Sequence, residues 1–322
     1  MGIRPADQII HKAAWLYYAH SMRQDEVARE LNISRASVAM YLRKARETGI
    51  VSISASTRLF ADDVLARQLE DALGLAGVWV VPATTRTQDP HSEVPVVAAS
   101  VFLDLVRPGT RVGVAWGRTV YTIAALMAHA DLQGVTVVQL CGNLGAPYSY
   151  RPDECTMEIA RRLNAKGINI YAPLVLSTEK LAAQLRSEPV IREQLEGIAR
   201  CDLALFSVGT VDDDSHVVRC GAVDLDELAE LRRLGAAGVV AGRIIDAQGK
   251  SLDCDYNSRL ISADLDSLRA IPKRLVVVQE ESKFGPLKAA LAGGLCTHLV
   301  LGAYMARRLL DEGSSLQSAT EK

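Results

Sequence analysis

The chain has 322 residues and a formal net charge of -2; 49% of its residues are hydrophobic, 23% charged and 5% aromatic. That length exceeds what one compact core commonly holds, so two domains are expected. No apolar run approaches the roughly 20 residues of a membrane span, and the N-terminus lacks a charged-then-apolar leader, so a cytoplasmic protein is expected. Six cysteines without any Cys-x-x-Cys and six dispersed histidines give no basis for a disulfide framework or a zinc site, and no cofactor is expected.

In chain order, Ile9, Ala13, Leu16 and Tyr17 fall at helical spacing and predict a first helix from about Pro5 to His20. The segment from Gln24 to Arg43 then reads as a helix-turn-helix. Val27, Ala28 and Leu31 form the inward stripe of its first helix, and Ile33, Val38 and Tyr41 supply the inward contacts of the turn and second helix. Asn32 stands where such a turn requires left-handed backbone, which Asn tolerates better than most residues, and Ser34 can cap the second helix. Gly49 ends that helix, and Ile50 to Ser54 alternate as a short strand, the wing.

Arg35, Ser37 and Met40 point outward from the second helix, with Arg43, Lys44 and Arg46 further along, a set that can meet base edges and phosphates of double-stranded DNA. Gln24, Ser34, Arg35, Ala36, Ser37, Met40, Tyr41, Arg43 and Lys44 are the candidate DNA-binding residues; the alternative is an ordinary helix pair with a solvated basic face. Charge favours DNA. Residues 1-58 hold nine Lys/Arg against five acids, a net +4, and the remainder holds 27 against 33, a net -6. A basic head on an acidic body turns the head toward phosphates.

A connecting helix is expected from about Ala61 to Leu73. Beyond Gly74, short apolar strands alternate with helical stretches: Val78-Val81, Arg111-Trp116, Val135-Leu140, Leu203-Val208, Gly238-Ala241, Leu275-Val278 and His298-Leu301. Several are Val/Leu runs without alternation, as strands buried on both faces are, so the body reads as a doubly wound, mostly parallel α/β domain. The whole is thus an α/β protein with an N-terminal three-helix winged helix-turn-helix. Boundaries are placed at 1-56 (DNA-binding), 57-74 (connecting helix), 75-312 (effector-binding and oligomerisation) and 313-322 (disordered tail).

Ligands of such sheets lie at the carboxyl ends of strands. There, Gly117, Arg118 and Thr119 surround the start of a helix expected over Val120-Ala130, an anion cradle suited to a sugar phosphate; a plain capped turn is the alternative. The loop Leu140-Gly145 offers Gly142 and the amide of Asn143, and the loop Ser207-Thr210 offers Gly209 and Thr210. Gln279-Lys283 places Glu280, Glu281 and Lys283 at the same rim, two carboxylates for hydroxyls and an ammonium for phosphate. His216 beside Asp212, Asp213 and Asp214 has a metal-like look, although a solvated acidic loop is the preferred reading.

Together these residues resemble the SorC family of sugar-responsive bacterial transcriptional regulators, from about Ala6 to Leu310. Matching segments are Gln24-Ser34, Ala45-Val51, Val114-Thr119, Tyr171-Pro173, Asp202-Gly209, Gly242-Asp246 with Gly249, Asn257 with Arg259, and Lys283 through Leu291 to Gly294. The resemblance implies a winged helix-turn-helix before an effector domain similar to the fold of glucosamine-6-phosphate deaminase. It implies a regulator of a carbohydrate-utilisation operon, controlled by a sugar, polyol or sugar phosphate and acting as a dimer or tetramer. Effector contacts carry over onto Gly117, Arg118, Thr119, Gly142 and Lys283, and the matching segments add Asp246 and Asn257.

Three positions depart from the family pattern. Asn32 replaces a common Gly, and Met40 a basic residue, which exchanges a hydrogen bond for apolar contact with a thymine methyl. Val278-Gln-Glu280 replaces a Gly-rich turn, adding bulk and charge beside the expected phosphate site and admitting an unphosphorylated ligand. The rival class is a sugar-phosphate isomerase or deaminase using Glu280, Glu281, His216 or Asp246 as base. None of these lies in a catalytic motif, so no catalytic residues are assigned.

Overall fold

The computed structural model describes residues 5-51, 63-82, 93-145 and 149-320. Its contacts divide the chain into two units, Met1-Ala55 and Ser56-Lys322.

In the first unit, α1 (Pro5-Ala14) runs on as a π-helical turn, Trp15-Ala19, followed by α2 (Gln24-Glu30) and α3 (Arg35-Glu47). Ile10, Ala13, Leu16, Val27, Ala28, Val38, Leu42 and Ala45 are buried in one core, with Leu31, Ile33 and Tyr41 half-buried against it. The turn has the expected chemistry. Asn32 has φ +52°, and Ser34 Oγ accepts from Ser37 N at 3.1 Å. Ile50 and Val51 form a bend, Val51 N donating to Ala45 O at 3.1 Å. The rest of the expected wing lies outside the described residues.

The second unit is built on a parallel sheet of seven strands: β1 (Gly77-Val81), β2 (Arg111-Val114), β3 (Thr136-Gln139), β4 (Lys166-Ile168), β5 (Leu203-Phe206), β9 (Lys273-Val278) and β10 (His298-Gly302), in the order β1-β10-β9-β5-β2-β3-β4. The apolar runs explain it. Ala204, Phe206, Val276, Val278, Leu299 and Leu301 pack on one face, and Leu203, Leu205, Leu275, Val277 and Val300 on the other. Helices Asp63-Leu73, Phe284-Ala292 and Ala303-Thr320 cover the first face, and Glu93-Leu105, Arg118-Leu126 and Pro152-Arg162 the second. Both faces are apolar because both are covered.

Two expected strands belong elsewhere. The run Leu203-Val208 splits after Phe206; β6 (Val208-Gly209), β7 (Gly238-Val240) and β8 (Arg243-Ile245) form a separate antiparallel sheet. The cause is local. Ala241 and Gly242, with φ +49° and +85°, make a two-residue turn that sends the chain straight back, so β7 pairs with β8 as a hairpin, whereas a parallel partner requires a crossover. The last helix of the unit is Ala303-Thr320. Ala303, Met305, Ala306 and Leu309 anchor its first turns in the core.

Candidate functional site

β2, β5 and β9 are neighbours, and their carboxyl ends open onto one pocket of about 160 Å³. The winding of the chain reverses there. From β2 it proceeds outward through β3 and β4, then returns beside β2 as β5 and proceeds the other way through β9 and β10. Such a switch point leaves a crevice between diverging connections.

After β2 the chain turns at Gly117, whose φ of +106° only glycine adopts freely, into helix Arg118-Leu126. Among the described residues no side chain caps that helix start, and its first residues, with the positive dipole end, stand at the pocket wall. Lys283, reaching in after β9, donates to Thr119 Oγ1 at 3.3 Å and to Ser207 Oγ at 3.2 Å. Glu280 lies between two cations: Oε1 accepts from Arg118 Nη2 at 2.7 Å, and Oε2 is 2.9 Å from Lys283 Nζ. The opposite wall comes from the small sheet, through Gly209, Val239, Ala241 and Gly242, and from the stretch Asp214-Arg219. In that stretch the Ser215 hydroxyl is buried without a hydrogen-bond partner among the described residues.

The electrostatics decide what this pocket can do. Burial alone would raise the Glu280 carboxyl, but the charge of Lys283 and the hydrogen bonds from Lys283, Arg118 and Gln279 outweigh it and hold the group down at about 2. Burial, together with Lys283, Arg118 and Arg219, pushes His216 down to about 4. Neither is a useful base near neutral pH, where a catalytic base works best with a matched pKa.

The other proposed bases are not in the pocket. Glu281 is exposed and does not line it, while Asp246 Oδ1 accepts from Gln248 N at 2.9 Å and Lys250 N at 2.8 Å, closing a turn. Asp213 and Asp214 pair with Arg232 and Arg219 at 2.7 and 2.6 Å, and no group of three or more metal-ligating side chains occurs among the described residues.

Of the candidates for effector contact, Gly117, Arg118, Thr119, Gly209, Thr210, Glu280 and Lys283 come together. Gly142, Asn143, Asp246, Asn257 and Glu281 do not. Gly142 donates to Ile261 O at 2.8 Å, and a Cβ there would lie 2.6 Å from Pro173 O; it is small because two backbones cross. Asn143 accepts from Gln139 Nε2 at 2.9 Å and Asp153 N at 3.1 Å and donates to Ile170 O at 3.2 Å. Asn257 is buried and stitches both backbone groups of Ile244. Both asparagines spend most of their polarity on main chain. Ser207, Ser215, His216 and Arg219 line the pocket and were not among the candidates; the adjacent Ser215-His216 pair is the one local signal for this wall.

In the first unit, Arg35, Ala36, Met40, Arg43 and Lys44 are exposed, Met40 by 47%. Ser34 and Ser37 are joined by their hydroxyls at 2.8 Å, Gln24 is half-buried, and Tyr41 packs against the core rather than standing free. The outward face of α3 is therefore basic with one thioether.

A helix-turn-helix with an exposed basic face and a separate α/β unit carrying a pocket of polar and charged groups are the two parts of a ligand-responsive DNA-binding regulator. Residues 57-311 match the sugar-binding domain family, Sugar-bind. The chain is 31% identical over 310 residues to an uncharacterized transcriptional regulator of Escherichia coli K12, YjhU, with 94% of each covered. It is 29% identical over 312 residues to the deoxyribonucleoside regulator of Bacillus subtilis 168, covering 96% of this chain and 99% of that one. The full-length sorbitol operon regulator SorC of Klebsiella pneumoniae superposes with a TM-score of 0.71 at 25% identity, covering 94% of this chain and 99% of SorC. The chain belongs to the SorC family of sugar-binding transcriptional regulators. Its function is sugar-responsive regulation of transcription, and the enzymatic alternative is not favoured. Among the described residues, no helix is long and apolar enough to cross a membrane.

Proposed function

We propose that the pocket at the ends of β2, β5 and β9 is the effector site of this regulator, and that its occupant changes the grip of α3 on double-stranded operator DNA. The observation that carries this reading is the chain Arg118-Glu280-Lys283, closed by Thr119 and Ser207, at the switch point of the sheet. Its side chains come from three strand ends, so an occupant touches several elements at once. The ligand is a small carbohydrate: a sugar, a polyol or a sugar phosphate. Arg35, Arg43 and Lys44 supply phosphate and base-edge contacts, and Met40 an apolar one.

A single α3 reads too few bases to be selective. Two heads related by a two-fold axis, in a dimer or tetramer, double the reading and set half-sites about one DNA turn or a multiple apart. The ligand acts by binding one arrangement of the oligomer better than another, and the protein works in the cytoplasm beside its DNA. Titrating operator DNA with and without a carbohydrate panel tests this: Arg118→Ala with Lys283→Ala abolishes the response while leaving basal operator affinity intact. Loss of basal affinity in that double variant, or an unchanged response, defeats the assignment.

A further inference from the structure

We infer that the effector carries no phosphate: it is an uncharged sugar or polyol, and Glu280 is the group that keeps phosphorylated ligands out. This rests on the reading of the pocket as the effector site. Glu280 stands where an incoming anion would bind. Its Oε1 accepts from Arg118 Nη2 at 2.7 Å and Gln279 Nε2 at 3.2 Å, and its Oε2 lies 2.9 Å from Lys283 Nζ. Lys283 Nζ donates to Thr119 Oγ1 and Ser207 Oγ and forms an ion pair with Glu280 Oε2.

A phosphate drawn to these cations therefore meets a carboxylate already there, and like charges at such range in a half-buried pocket oppose each other. Glu280 is also anchored by its main chain, its carbonyl accepting from Lys283 N at 3.1 Å. Accommodating a phosphate would mean breaking two ion pairs to clear the position.

What the pocket leaves unspent suits hydroxyl groups. Thr119 Oγ1 accepts from Lys283 and keeps its own O-H to donate. Ser215 Oγ, in a residue 2% exposed, has no partner among the described residues. The uncapped first turn of helix Arg118-Leu126 offers N-H groups that a hydroxyl oxygen can satisfy. A polyhydroxyl compound both donates and accepts at each oxygen, which matches this mixed set, and Ser215 becomes a specificity-determining contact.

The test is the melting temperature of the full-length chain and of Glu280→Gln with inorganic phosphate and with matched pairs: ribose and ribose 5-phosphate, glucose and glucose 6-phosphate, sorbitol and sorbitol 6-phosphate. Phosphate is expected to leave the native protein unchanged and to raise the variant by several degrees. For whichever carbon skeleton binds, the native protein prefers the unphosphorylated member at least tenfold, and Glu280→Gln narrows or reverses that preference. A phosphosugar that binds the native protein better than its parent overturns the inference, and so does phosphate acting equally on both proteins. Should Glu280→Gln fail to fold, Glu280→Ala takes its place, and the preference measured on the native chain stands as a test by itself. Failure of the effector-site reading looks different: phosphate binds only the variant, which upholds exclusion by Glu280, while no pair member alters operator affinity.

Discussion

The two units use the same residue types in opposite ways. On α3, Arg35, Arg43 and Lys44 are exposed, and the one ion pair they form among the described residues, Arg43 with Glu47 at 3.7 Å, is solvated. In the effector unit, Arg118 and Lys283 share Glu280 at 2.7 and 2.9 Å; the Arg118 side chain is 48% exposed and the Lys283 side chain 13%, so the contrast is sharpest at Lys283. An exposed cation acts at long range, exchanges counterions and loses force with salt; a buried, paired one acts by geometry and is nearly blind to salt. One unit is equipped to hold a polyanion and the other to recognise the shape and hydroxyl pattern of a small molecule.

The comparison breaks most readily at the head. Arg35→Ala with Arg43→Ala is expected to weaken operator binding about 100-fold and to reduce the salt slope of log affinity by about 1 per lost phosphate contact. Fluorescence anisotropy across a salt series reads both, and an unchanged slope would remove these side chains from the DNA. At the pocket, Lys283→Met leaves Glu280 with one cation instead of two. It should cost about 1-2 kcal/mol in urea unfolding, less than a fully buried pair because Glu280 keeps some solvent. Added salt should change that cost little.

Acid sharpens the contrast. Glu280 is lowered to about 2, so the stability it contributes is complete above its ordinary carboxylate range and is lost as pH falls toward 2. His216 is lowered from 6.5 to about 4: the unfolded chain takes up its proton first, and stability falls between those values. The melting temperature should therefore drop from pH 6.5 to 4, with His216→Gln flattening that limb; Glu280→Gln lowers the melting temperature across that range, and its cost disappears as pH falls from the ordinary carboxylate value of 4.5 toward 2. The smallest expected effect is at Ser215. Ser215→Ala removes a buried unpartnered hydroxyl, so the ligand-free protein should gain about 1 kcal/mol while effector affinity falls. A loss of stability would mean that the hydroxyl is already satisfied.

Much of this was legible in sequence where the signal is local. The helix-turn-helix follows from Val27, Ala28, Asn32, Ser34 and Val38, all within twelve residues, and the central strands follow from unbroken apolar runs such as Leu203-Phe206. β4 and β8, three residues each, are too short to leave a pattern, and β7 looked like a parallel strand because an Ala-Gly turn is a weak hairpin signal. At the site, residues following strand ends were found, but which polar groups remain available depends on distant partners. Asn143 and Asn257 are consumed by backbone segments, and Lys283 meets Thr119 across 164 positions. Ser215 joins the pocket only because the small sheet folds back over it.

One wall of that cavity belongs to the ribbon β6-β7-β8, threaded between β5 and β9, which are adjacent in the main framework. Tyr256 Oη donates to Gly242 O at 3.1 Å and Ser262 Oγ to Ala241 O at 2.6 Å, fastening the ribbon's tip by its carbonyls. A wall hung on the scaffold by two hydrogen bonds to its tip is held at its end without being part of the parallel sheet.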